Sequence, residues 1–272
     1  MIRMFTTSDG CSITYTIHSL RRPDAPRIVL IHSLALDASI WDGVVSRLAD
    51  RAEVLTYDCR GHGRSARPAG PFTTELFARD LRELLDHVGW QKAIVGGCSM
   101  GGCVAQAFAG QYASRAAGLA LIDTTAWYGV DAPKTWRERA AAAQAKGLAG
   151  LVDFQMTRWF GDAFRAAHPE LVNTAIGVFL ANDLACYAAS CILLGDADLR
   201  HFLPQLALPV AVIVGEEDYA TPLAMAQHLH QAIRGSTLTI LPKARHLTPM
   251  ECPDLIAAQL VVLTERAAST HA

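Results

Sequence analysis

A serine set between two glycines, Gly97-Cys98-Ser99-Met100-Gly101, follows the β-branched run Ala93-Ile94-Val95 and precedes Gly102-Cys103-Val104-Ala105-Gln106-Ala107-Phe108. The pattern reads as strand, sharp turn and helix. Glycine is needed there because strand and helix must come close, and a serine at the apex has strained backbone dihedrals. The strain holds the hydroxyl clear of the sheet. The Met100 amide opens the helix and faces any oxyanion that forms at the serine. This arrangement serves acyl transfer through a covalent intermediate on Ser99.

A serine hydroxyl is a weak nucleophile until a base takes its proton, so a histidine and an orienting carboxylate are needed. Of the 10 histidines, His246 is best placed. It follows the run Thr237-Leu238-Thr239-Ile240-Leu241 across a short turn, which sets it at a strand C-terminal end as Ser99 is. Asp218, in the turn after Pro209-Val210-Ala211-Val212-Ile213-Val214, offers the carboxylate and gives the chain order Ser, Asp, His. Asp123 ends another strand and is the rival acid, while Glu216 and Glu217 read as a solvated turn. A second oxyanion amide is expected from Leu34, in the loop His32-Ser33-Leu34-Ala35. His32 reads as a brace for that loop, and Arg60-Gly61-His62-Gly63 as a structural turn with a hydrogen-bonded histidine.

The elements that position these residues alternate. Residues 2–7 and 11–18 are β-rich about Ser8-Asp9-Gly10, a hairpin signal. After the Pro-containing loop 21–26 come a buried-strand run at 27–31, helical spacing over 38–50 with Ile40, Trp41, Val44, Val45 and Leu48 on one face, and a strand at 53–57. Thr73 or Thr74 caps a helix that Gly89 ends. Strands at 93–95, 118–123, 210–214 and 237–241, with helices near 221–233 and 253–266, complete a mostly parallel, doubly wound eight-stranded α/β sheet. From about Ala126 to Arg200 the strand pattern stops and helical spacing rich in Ala, Leu, Trp and Arg takes over. The expected organisation is a core of 1–125 and 201–272 interrupted by an all-helical cap, 126–200, lying across the strand ends. The tail Ala267–Ala272 is expected to fray.

Composition narrows the partners. At 272 residues, 51% hydrophobic and 18% charged, the chain is a folded α/β protein rather than a disordered one. A net charge of -2 argues against nucleic acid or an anionic membrane surface. No apolar run reaches the roughly 18–20 residues of a membrane span, and the first residues read as a strand rather than a leader. The 7 cysteines are scattered with no Cys-x-x-Cys pair, which points to reduced core thiols in the cytoplasm rather than disulfides or a zinc site.

The chain resembles an α/β-hydrolase and, within that fold, the 3-oxoadipate enol-lactonases. The resemblance is carried by Ser33-Leu34 with Asp37 and Trp41, by Tyr57-Asp58-x-Arg60-Gly61-His62-Gly63-x-Ser65, and by Gly97-x-Ser99-Met100-Gly101-Gly102. Trp136-x-x-Arg139, Arg158-Trp159-Phe160, Tyr187-Ala188-x-x-Cys191, Asp198-Leu199-Arg200 and Asp218-x-Ala220-Thr221-Pro222 extend it over nearly the full length. It implies hydrolysis of a small ester or enol-lactone without metal or cofactor, with Ser99, Asp218 and His246 as the triad. It also implies a substrate with a free carboxylate, for which Trp136, Arg139, Arg158 and Trp159 of the cap are the candidate contacts. Two segments depart from the family pattern. His32-Ser33-Leu34-Ala35 stands where Asn-Ser-Leu-Gly is common, and Leu247-Thr248 where Ser-Asn is common.

Other functions are compatible with the same residues. A short-chain carboxylesterase, a perhydrolase or an acyltransferase would use the same triad, and the accepted nucleophile separates them. A ligand receptor on a hydrolase scaffold would lack turnover on any ester or lactone.

Overall fold

The apolar runs form one sheet. β1 (Ile2–Thr6) and β2 (Ser12–His18) make the expected antiparallel hairpin. β3 (Arg27–Ile31), β4 (Glu53–Tyr57), β5 (Ala93–Cys98), β6 (Ala116–Ile122), β7 (Val210–Gly215) and β8 (Thr237–Leu241) run parallel, and β2 joins them antiparallel through β4. The order across the sheet is β1-β2-β4-β3-β5-β6-β7-β8. The computed structural model describes residues 1–20, 22 and 24–269, so Arg21 and Pro23 of the loop 21–26 lie outside the described residues.

This order has one reversal that matters for function. From β3 the chain moves outward to β4, then returns to lay β5 on the other side of β3. The connections after β3 and β5 therefore leave in opposite directions and open a crevice at the strand C-terminal ends, where ligands bind in open parallel sheets. The loop after β3 carries Ser33 and Leu34, and the turn after β5 carries Ser99.

Helices cover both faces. α1 (Asp42–Leu48) and α11 (Pro253–Ser269) pack together, as do α2 (Thr74–His87) and α3 (Met100–Gln111). Neighbouring positions on β5 show the two layers: a side chain at Gly96 would meet Leu260 of α11, and one at Gly97 the backbone of α3. Thr73 caps α2 by accepting the Leu76 amide at 3.1 Å. The helix expected over 38–50 is shorter and opens differently. Asp37 takes the Ser39 amide, residues Ala38–Trp41 form a 3-10 turn, and regular helix starts only at Asp42. The tail is also corrected. α11 continues through Ser269 because Ala267 keeps the buried face set by Ile256, Leu260 and Leu263, while Thr270–Ala272 lie outside the described residues.

Between β6 and β7 the chain forms α4 (Ala132–Lys146), α5 (Val152–Trp159), α6 (Asp162–Ala167), α7 (Pro169–Leu180) and α8 (Leu184–Asp196), with α4 packed on α8. The two ends of this helical segment meet in a bridge between Trp127 and Asp198, and the Leu199 amide donates to the Ala126 carbonyl at 2.9 Å. α9 (Leu223–Ala232) and the single turn α10 (Thr248–Glu251) complete the set. Among the described residues no single helix is long and apolar enough to cross a membrane.

Candidate active site

Ser99 sits between β5 and α3 with φ +54° and ψ -115°, in the left-handed half of backbone space that a serine rarely adopts. The turn closes because the flanking residues lack a Cβ. One at Gly97 would overlap the Gly101 carbonyl, and one at Gly101 would overlap the Ile31 carbonyl of β3. The Ser99 amide stays in the sheet, donating to Ile122 at 2.9 Å, while its side chain points out of it.

His246 Nε2 lies 2.9 Å from Ser99 Oγ, and its Nδ1 lies 2.8 Å from Asp218 Oδ2. The three side chains come from loops after β5, β7 and β8, and all are buried. Asp218 is held from three further directions, by the amides of Ala220 and Thr221 and by the Thr221 hydroxyl, at 2.7, 3.0 and 2.8 Å. Burial pushes its carboxyl up, but the charge and hydrogen bond of His246, with the two hydrogen bonds from Thr221, outweigh it and hold the group below the usual carboxylate range.

Asp123 does a different job. Its Oδ1 accepts the Gly215 amide at 3.0 Å, and its Oδ2 accepts the Thr248 amide and hydroxyl at 3.1 and 2.6 Å. Burial and the nearby Asp218 charge hold its carboxyl well above its ordinary value, opposite to Asp218. Asp123 thus ties the end of β7 to the residues just after His246, and its oxygens face amides and a hydroxyl rather than the imidazole. The departure at Thr248 is used here: its hydroxyl is one of the three donors.

The loop after β3 is braced as expected. The Cys59 amide donates to His32 Nε2 at 2.9 Å, which leaves Nδ1 to donate to the Ser33 carbonyl at 2.8 Å. Burial pushes the His32 pKa down, so the ring is neutral. His62 is likewise buried and neutral, its pKa lowered to about 3 by burial and by His32, and it donates to the Arg60 carbonyl. Leu34 lines the cavity beside Ser99, and Met100 stands at the first position of α3, where an amide has no partner within the helix. Ala35, in place of the common glycine, adopts φ +58°, and its carbonyl accepts Asn182 Nδ2 at 2.8 Å.

Above Ser99 is a cavity of about 30 Å³, room for one or two waters, walled by Leu34, Tyr128, Trp136, Arg139, Arg158 and Trp159 among others. All four residues singled out in the helical segment therefore line the same cavity as Ser99. Arg139 donates from Nε to the Tyr187 hydroxyl at 2.8 Å, and its guanidinium lies over the rings of Trp136, Phe154 and Tyr187. Arg158 lies over Phe154. Neither arginine has a carboxylate partner among the described residues, and burial together with the Arg139 charge pushes the Arg158 guanidinium below its ordinary value. Among the described residues no group of three or more His, Cys, Asp and Glu is arranged to hold a metal ion.

Two wall residues were not found from sequence. Tyr128, packed edge-on against Trp136 with ring centroids 5.2 Å apart, lines the cavity together with Ser99. Only its place shortly after β6 marks it. Gln155 is buried and lines the same cavity. Its signal was available, since it precedes Arg158 by three residues and Trp159 by four and so shares their helix face.

A strained serine after the central strand, an imidazole bridging it to a carboxylate, and a mostly parallel eight-stranded sheet define a serine hydrolase architecture. The family model described as the alpha/beta hydrolase fold matches residues 26–253, and the chain belongs to that family. It is 34% identical over 253 residues to 3-oxoadipate enol-lactonase 2 of Acinetobacter baylyi, covering 91% of each chain. The enol-lactonase of Burkholderia xenovorans LB400 superposes with a TM-score of 0.91 at 34% identity, over 96% of this chain and 99% of that one. A thermophilic esterase from Thermogutta terrifontis, solved with malate bound, gives a TM-score of 0.90 at 28% identity, over 98% and 99%.

Proposed function

We propose that the protein hydrolyses a small enol-lactone carrying a free carboxylate, of the 3-oxoadipate enol-lactone type, through an acyl-enzyme on Ser99. The observation that carries the proposal is the single cavity shared by the Ser99–His246–Asp218 relay and two arginines without carboxylate partners. His246 takes the Ser99 proton as Oγ attacks the acyl carbon, and Asp218 fixes the tautomer and stabilises the imidazolium. The amides of Leu34 and Met100 receive the oxyanion. His246 then returns the proton to the departing enol oxygen, and water, activated by the same imidazole, releases the acid.

Residues 126–200 act as the cap that encloses the rest of the substrate. Arg139 and Arg158 bind its carboxylate, because a guanidinium can meet two carboxylate oxygens at once. Trp136 and Trp159 shape the apolar sides. The names of the relatives and the dicarboxylate held by the Thermogutta esterase support this reading. The test is turnover of 3-oxoadipate enol-lactone by the purified protein, set against neutral lactones and phenyl acetate. Rapid, selective loss of the enol-lactone is the expected result. Equal or better turnover of the neutral compounds would replace the proposal with a general short-chain esterase.

A further inference from the structure

Gln155, 2% exposed, stands in the wall of the cavity over Ser99, and among the described residues neither its side-chain N–H groups nor its side-chain carbonyl has a hydrogen-bond partner. An amide that no protein group engages and that lines a cavity is open to whatever the cavity holds. A leucine or methionine would fill the same position without presenting a donor and an acceptor to that cavity. The unmet amide lies on the α5 face that also carries Arg158, in a cavity holding Ser99 and Arg139. Its partners are therefore the occupants of that cavity, water in the free protein and a ligand that displaces the water.

The chemistry of the wall says which ligand group. The arginines offer donors only and suit a carboxylate, which is acceptor only. Gln155 both donates and accepts. A carboxylate would satisfy its N–H groups but repel its carbonyl. A neutral oxygen suits it better, because a ketone accepts from the N–H groups and an enol O–H also gives to the carbonyl.

We propose that Gln155 is a specificity-determining residue that hydrogen-bonds a keto or enol oxygen lying between the reacting carbonyl and the free carboxylate of the substrate. This rests on the carboxylate-bearing substrate proposed above. When an enol-lactone opens, the Ser99 Oγ–acyl carbon bond forms and the acyl carbon–ring oxygen bond breaks. The serine proton passes through His246 to the ring oxygen, which becomes an enol and, on shifting that hydrogen to carbon, a ketone. Nothing is oxidised or reduced. Because the substrate is cyclic, this oxygen stays within the acyl chain, where Gln155 holds it until water cleaves the ester.

Four phenyl esters test the assignment: monophenyl adipate, the 3-oxo compound with its phenyl ester at the carboxyl remote from the ketone, and the distal methyl ester of each. The wild-type protein is expected to prefer the oxo over the methylene compound by about 10- to 100-fold in kcat/KM. Gln155→Met brings that ratio close to one while the preference for free acid over methyl ester persists. The free variant melts no lower than wild type, because the amide had no partner to lose. Should the methionine variant not fold, Gln155→Asn, which keeps the amide but withdraws it, must lower the oxo preference. An oxo preference absent in wild type or unmoved in the variant overturns the proposal, as does a fall in melting temperature without a change in the ratio. A wild type indifferent to acid against methyl ester overturns the carboxylate reading instead, and the oxo ratio still reports on Gln155 within the methyl ester pair.

Discussion

The Leu247 amide donates to the Trp159 carbonyl at 3.0 Å, so the residue after His246 and the residue after Arg158 are directly hydrogen-bonded. Arg245 adds two bonds in the same direction, from Nη1 to the carbonyls of Thr157 and Phe160 at 2.8 and 3.0 Å. Glu251 accepts the amides of Arg245 and Gly161. The loop that carries His246 and the end of α5 are thus one hydrogen-bonded unit, and the geometry at Ser99 is set jointly by sheet and helical segment.

Ser99→Ala is expected to remove hydrolysis while the fold persists, since it deletes one oxygen from a turn whose backbone is held by its neighbours. A loss of about 10⁶ in kcat is the scale for such a nucleophile. A serine-directed phosphonate should label Ser99 alone, read by peptide mass spectrometry. Cys98 and Cys103 stay unlabelled, because both are buried and burial pushes their thiols up, Cys103 to about 11. A variant keeping a tenth of the activity removes Ser99 from the mechanism.

Asp218→Asn is expected to lower kcat by about 10⁴, through loss of the imidazole tautomer and of charge opposite the imidazolium. Asp123→Asn has a different signature. Its new N–H groups confront donors from Gly215 and Thr248, so stability falls by about 1–3 kcal/mol and activity by less than Asp218→Asn. Steady-state kinetics paired with thermal melts separate the two. If Asp123→Asn were the more crippling in kcat, the acid would be misassigned.

Arg139→Met and Arg158→Met test the carboxylate contact. A hydrogen bond to a charged group contributes about 1.5–3 kcal/mol, or roughly 10- to 150-fold in kcat/KM. Wild type should favour a free-acid lactone over its methyl ester within that range, and each variant should reduce the preference. Retention of the full preference in both variants would return these arginines to a packing role.

Glu251 gives the pH prediction. Burial raises its carboxyl from 4.5 to about 7, against the amides of Arg245 and Gly161 and the Arg245 charge. Between those two values the folded protein holds a proton that the unfolded chain has released, so stability from this group is full below about 4.5 and is lost as pH rises through about 7. The slope is at most about 1.4 kcal/mol per pH unit. Glu251→Gln cannot titrate, so its urea midpoint should fall less than that of wild type between pH 5 and pH 7. Parallel midpoints for the two proteins would contradict the shifted carboxyl.

Local motifs made much of this architecture readable. The elbow at Ser99 is encoded within about ten residues, and Asp218 and His246 each follow a strand that apolar runs reveal. Arg139 and Arg158 were readable as chemistry but not as free or paired, because pairing depends on which helix faces which. Tyr128 escaped notice because it stands alone in the connection between β6 and α4, where no periodicity marks a residue, whereas Gln155 shared the helical spacing of Arg158 and Trp159 and was passed over because it carries no charge. The 3-10 opening before Asp42 and the reach of α11 to Ser269 turned on one cap and one buried alanine, details finer than hydrophobic spacing resolves.

The chamber over Ser99, at about 30 Å³, is smaller than any ester it could cleave. For a substrate to reach Ser99 the walls would have to part, and the bonds from Leu247 and Arg245 hold them together at α5. On the reading proposed above, the helical segment would then be a sieve placed ahead of Ser99. A bulky ester would be turned away at the threshold, whereas a compact anion would be drawn in and then held. Selection by size and selection by charge would be exercised at different moments and by different residues, so that one could be retuned without disturbing the other.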